Sequence, residues 1–146
     1  GVWMIDQWRK IGLNVRQKTQ EYGKAVADLQ AGDYEVGVFG FSDYMDDPDL
    51  QLIRYVSAEK SAANYGHYND PVLDDLYSKQ SEAMSHGERE KLIRQFEKRV
   101  LDEKAYVALV PWMHRIVLHS AKLKGWRILT SHFLNQDLAN VWLDKD

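Results

Sequence analysis

At 146 residues with 45% hydrophobic content, the chain is long enough to bury a core as one domain and too apolar for intrinsic disorder. A net charge of −3, with its 19 Lys and Arg scattered among carboxylates, leaves no basic stripe and argues against nucleic acid as a partner. The absence of cysteine removes disulfides and thiolate metal sites, and no apolar run approaches the roughly 20 residues that a membrane helix needs, so direct membrane insertion is not expected.

The first element reads as a helix, because Met4, Ile5, Trp8 and Ile11 share one face and Gly12 stands where a helix C-terminal glycine would. The start GVWMIDQWRKIG has no signal-peptide pattern and opens inside that helix, so further chain is expected upstream. Residues 13–18 then alternate, with Leu13, Val15 and Gln17 on one side and Asn14, Arg16 and Lys18 on the other, which predicts a strand. Tyr22, Ala25, Val26 and Leu29 recur at i, i+3, i+4 and i+7, and Gly32-Asp33 closes that helix. Residues 34–41 run apolar on both faces, as a buried strand does. Strand, helix and strand in this order form a βαβ unit whose right-handed crossover makes the strands parallel, so residues 41–47 fall at one sheet edge.

The middle of the chain predicts two helices. Asp70 caps the first, Pro71 takes its first position, and Val72, Leu73, Leu76, Tyr77 and Ala83 follow. Ser85 and Glu88 form an S-x-x-E capping box for the second, whose stripe is Leu92, Ile93, Phe96 and Val100, with Arg and Lys placed on the outer face. The short link makes the pair antiparallel. Residues 106–110 and 115–120 read as further strands, joined through Pro111, Trp112, Met113 and His114. The tail carries no clear period. Trp112, Trp126 and Trp142 read as packing residues. With no internal repeat or low-complexity linker, residues 1–146 are taken as a single unit.

The candidate chemistry gathers in DYEVGVFGFSDYMDDPDL, residues 33–50. Phe41, Ser42, Asp43 and Tyr44 combine an aromatic wall with a carboxylate suited to a ligand ammonium group. Asp46, Asp47 and Asp49 read instead as the start of a helix at Pro48, where carboxylates complement the helix dipole. An EF-hand opening at Asp43 fails, since Pro48 takes its glycine position and Arg54 its final glutamate position. The histidines at 67, 86, 114, 119 and 132 form no H-E-x-x-H, and neither a metal nor a cofactor is expected. Asn64 and Tyr65, in the loop before the capped helix, suit either a cleft edge or a local turn, and Tyr65 and Tyr68 suit covering the helix pair. Gly40-Phe41-Ser42 imitates a nucleophile elbow, with His132 later in the chain. This supports an alternative reading as a serine hydrolase using Ser42, although Tyr44 stands where the second glycine of G-x-S-x-G belongs.

Five strings in order resemble the C-terminal part of the family 5 extracellular solute-binding proteins of ABC transporters, the dipeptide, oligopeptide and nickel binding group. They are QWRKIGLNV at 7–15, LQAGDYEVGVFGF at 29–41, Asp47-Pro48, NYGHYNDPVLDDL at 64–76 and EREKLIRQFEKRVLDEKAYVALVPW at 88–112, and together they cover essentially the whole chain. The resemblance implies an α/β fold: the C-terminal lobe of a class II periplasmic binding protein-like receptor with two lobes, built of βαβ units plus a helix pair. It implies a non-catalytic, periplasmic protein that traps a peptide or peptide-like solute between lobes and docks on a membrane permease. In that family a tryptophan followed three residues later by an aspartate lies in the cleft. Here Phe41 replaces the tryptophan and Asp43 comes two residues later, while counting back from Pro48 puts Tyr44 at the aspartate's position. A third reading is a protein-interaction domain of the same fold that needs no cleft ligand.

Overall fold

The computed structural model describes residues 1–40, 47–110, 118–127 and 138–144. Helix α1 (Val2–Lys10) ends as the amides of Ile11 and Gly12 bond to the carbonyls of Trp8 and Arg9, with Gly12 at φ +88°. That conformation is open to glycine without steric cost. Helix α2 (Tyr22–Ala31) starts where the Glu21 carboxylate accepts from the amides of Gly23 and Lys24, and it stops at the left-handed Gly32. Both helices therefore stand where the periodicity puts them.

The predicted strands do not form over the described residues of 13–18, 34–40 and 106–110, while residues 115–117 of the fourth lie outside the described residues. Among the described residues, 13–18, 34–40 and 106–110 make no ladder, and the pairing present is a short antiparallel one between β1 (Leu123–Lys124) and β2 (Trp142–Leu143), with Leu123 opposite Leu143. Alternation shows that a segment is able to lie on a sheet, but a ladder needs a second backbone about 4.8 Å away, which alternation does not supply. Trp142 is likewise more than half exposed and is not a core residue of this chain.

Helix α3 (Pro48–Leu52) begins as expected, the Asp47 carboxylate accepting from the Asp49 amide and Pro48 occupying the first turn. A 3-10 turn, Ile53–Tyr55, follows. Helix α4 (Pro71–Glu82) is capped by Asp70 through the amides of Val72 and Leu73. Helix α5 (His86–Lys98) is capped by Ser85 through the amide of Glu88. The helix pair is antiparallel: Arg99 after the end of α5 reaches Asp70 at the start of α4, and Arg89 near the start of α5 reaches Gln80 near the end of α4. Leu73 and Leu76 of α4, Phe96 and Val100 from the α5 side, Leu52 of α3 and Val56 after the 3-10 turn make the core. Tyr68 packs on this core and stacks on Tyr106, with ring centroids 3.6 Å apart.

Helix α5 runs on into a π-helical turn, Arg99–Glu103, and ends with exposed Ala105 at φ +49° while the Tyr106 amide bonds to the Val100 carbonyl. A Cβ at this φ meets the neighbouring carbonyl, whereas glycine does not. Ala105→Gly is expected to raise stability by about 0.5–1 kcal/mol in urea unfolding, against the usual penalty of introducing glycine. A loss of stability would show that the turn does not hold this conformation in solution.

Candidate functional site

Of the residues nominated from the sequence, Phe41, Ser42, Asp43 and Tyr44 lie outside the described residues, as do Asp46, His114 and His132. The structure does define how the described residues on either side of residues 41–46 are held. On the incoming side, Phe39 stands between two tyrosines, stacked on Tyr22 with centroids 5.8 Å apart and edge-on to Tyr65 at 6.1 Å. The Tyr34 hydroxyl donates to the Tyr65 carbonyl, binding the same segment to the loop before α4.

On the outgoing side, Asp47 is held by more than its capping bond. Arg89 Nη2 lies 2.9 Å from Asp47 Oδ1 and 3.3 Å from Asp49 Oδ1, and Arg89 Nε donates to the buried Gln80 side chain. Asp49 Oδ1 also accepts from the Ser81 hydroxyl and from Gln80 Nε2. The Asp49 amide and the Arg89 guanidinium together hold the Asp47 carboxyl below the usual carboxylate range. The carboxylates after the candidate loop thus start a helix and dock it on the helix pair.

Asn64 and Tyr65 separate in role. Asn64 is buried, its Nδ2 donating to the carbonyls of Val56 and Tyr68 and its Oδ1 accepting from the Gly66 amide, so its amide shapes the turn. Tyr65 is half-buried and presents its ring to Phe39, which brings it beside the segment that leads into Phe41. His67, at φ +53°, places Nε2 3.1 Å from the Leu29 carbonyl in the last turn of α2. Histidine is among the residues that visit this region most readily. The loop between α3 and α4 therefore touches both α2 and the segment before Phe41.

Behind this frame lies a cleft of about 850 Å³, walled by Met4, Ile5 and Trp8 of α1, Ala25, Asp28 and Leu29 of α2, and the segments 14–18 and 33–39. Its polar focus is Asp28, which accepts from Gln20 Nε2 at 2.6 Å and Lys24 Nζ at 3.0 Å, with Lys18 Nζ at 3.6 Å. The Gln20 bond first, and then Lys24, hold the Asp28 carboxyl below the ordinary range. Phe39 lines the cleft and joins it to the tyrosine pair.

Sequence reasoning missed Arg89 and Arg99 by assigning basic residues of α5 to its outer face. Their spacing held the signal, since 89, 92, 93, 96, 99 and 100 follow the same i, i+3, i+4 stripe as the core. Among the described residues, no group of three or more His, Cys, Asp or Glu is placed to hold a metal ion, and no helix is long and apolar enough to cross a membrane. No protein family, curated protein or solved structure matches this chain.

Proposed function

We propose that the chain is one α/β lobe of a periplasmic solute-binding receptor of an ABC transporter, presenting Phe41 to Tyr44 to a peptide or peptide-like solute. The observation that supports this most is that the residues flanking that segment are held on both sides, by the Tyr22, Phe39 and Tyr65 rings before it and by the Arg89, Asp47 and Asp49 cluster after it. Binding residues on a loop need a rigid scaffold at its ends to hold them in register with a ligand. Asp43 would pair with the solute's ammonium group, and Phe41, Tyr44 and Tyr65 would supply aromatic wall. Closure of a second lobe over the solute would stabilise the form that docks on the permease, so transport signalling rests on tighter binding to the closed state.

The test is a titration of the isotope-labelled chain with dipeptides, tripeptides, their N-acetylated counterparts and simple sugars, followed by amide chemical shifts. Free peptides are expected to shift residues 41–44 and Tyr65, with weak affinity because one lobe presents half a cleft. Acetylation or Asp43→Asn should lower affinity at least about tenfold, in the range of a lost charge-assisted bond. Equal binding of free and acetylated peptides would remove Asp43 from the role. No perturbation by any peptide would overturn the reading.

A further inference from the structure

Arg89, on α5, reaches across to two other helices. Its Nε donates to Gln80 Oε1 at 3.1 Å, and its Nη2 lies 2.9 Å from Asp47 Oδ1 and 3.3 Å from Asp49 Oδ1, so one planar guanidinium joins α5 to α4 and to the start of α3. The Ser81 hydroxyl donates to the same Asp49 oxygen at 2.7 Å. Lysine would not replace this arginine, because it offers one point charge where three partners need the separate donors of a rigid fork.

The cluster is poorly placed to stabilise the fold. The side chains of Arg89, Asp47 and Asp49 are 28%, 38% and 41% exposed, and ion pairs as open as these contribute little. Helix α3 is held on the helix pair without them, by Leu52 in the core and by the Tyr77 hydroxyl, which donates to the Asp49 carbonyl. What the guanidinium fixes is direction. It grips the N-cap residue of α3 and so sets the line along which the chain enters that helix. Asp47 stands four residues after Asp43 and three after Tyr44, and four residues span at most about 14 Å, so the place of Asp47 bounds where both can reach.

We propose that Arg89 is a positioning residue of the solute site: without touching the solute, it clamps Asp47 and thereby keeps Asp43 in register with the solute's ammonium group. The inference rests on the solute-binding reading and adds to it a residue 46 positions further along the chain, on a helix that the site does not otherwise use. Small displacements of a charged group away from its partner are enough to lose a charge-assisted bond, which is why such groups need support from packed elements.

Titration of the wild-type chain, Arg89→Met, Arg89→Lys and Asp47→Asn with a free tripeptide and its N-acetylated counterpart tests it. Arg89→Met is expected to weaken binding of the free peptide about tenfold and to shrink the preference for free over acetylated peptide, while the urea midpoint stays close to wild type. Arg89→Lys should recover only part of the loss. Asp47→Asn keeps a good cap for α3 but weakens the clamp, so its loss should not add to that of Arg89→Met in the double variant. Unchanged affinity in Arg89→Met, an equal loss for both peptides, additive losses in the double variant, or unfolding of Arg89→Met by circular dichroism would overturn the proposal. A wild-type chain that binds neither peptide would instead overturn the solute-binding reading, and this inference with it, so the wild-type titration tells the two failures apart.

Discussion

Phe96→Ala is expected to destabilise the chain by about 3–5 kcal/mol in denaturant unfolding, a large part of the 5–15 kcal/mol typical of a domain. Phe96 is 1% exposed and lies in the buried cluster that joins α3, α4 and α5, with Leu52, Val56, Leu73, Leu76 and Val100 around it. Truncation removes the ring's transfer energy and leaves a void that those residues, held on three elements, fill only in part. Phe96→Leu should cost less, since much of the volume stays. Equal losses for both variants would mean that the site tolerates no change of shape, and no loss for either would mean that this is not the stability core. Because Arg89 and Gln80 hold Asp47 and Asp49 on the same helix pair, loosening this core should also free the outgoing end of the candidate loop.

Asp70→Ala is expected to cost about 2–4 kcal/mol, more than a cap alone, because one buried carboxylate serves two purposes. Its Oδ1 caps α4 through Val72 and Leu73, while its Oδ2 accepts from Arg99 Nε at 2.8 Å and from the Tyr106 hydroxyl at 3.2 Å. Alanine leaves the first amides of α4 without a cap and the Arg99 guanidinium without its buried partner. Asp70→Asn keeps a good cap and loses the charge, so its cost should fall between that of alanine and zero. A double-mutant cycle of Asp70→Asn with Arg99→Met would report the coupling directly. If the two losses simply add, the pair contributes nothing beyond its separate parts.

The same carboxylate gives a pH signature. Burial pushes the Asp70 carboxyl up, yet the Arg99 bond and the α4 amides outweigh it and hold the group below its ordinary value. Asp74 behaves alike: the Ser57 amide and Lys60 Nζ, at 2.8 and 3.0 Å, outweigh its burial. A folded-state value below the unfolded one means that both contribute stability that is fully present above the unfolded aspartate value of 3.8 and lost as pH falls through the folded values. Chemical denaturation should therefore show stability falling below about pH 4, and Asp70→Ala should flatten that slope. An unchanged slope would show that Asp70 titrates alike in both states.

What was legible in the sequence follows one physical rule. Asp70 and Pro71, Ser85 and Glu88, Asp47 and Pro48, and Gly32 all mark helix ends through partners within four residues, and each appears in the structure where its neighbours require it. The apolar stripe of α5 is of the same kind, because helix geometry converts spacing into a face without reference to the rest of the chain. The aromatic and acidic character of residues 41–44 is legible too, and the resemblance that gives it a meaning stands as a proposal.

The tertiary structure alone decided what depends on distant partners. Asp70 and Arg99 are 29 residues apart and Asp47 and Arg89 are 42 apart, so no local pattern says which carboxylate meets which guanidinium. The meeting of Tyr65 with Phe39, and the contact of His67 with the Leu29 carbonyl, depend on how the loop before α4 packs on α2 and on the segment before Phe41. Strands are the clearest case: residues 13–18 and 34–40 carry the alternation and apolarity of strands, but a ladder is completed by a neighbour's backbone, and among the described residues the chain brings none to either segment. A helix bonds within itself and is written in its own sequence, whereas a strand is only half specified until its partner arrives.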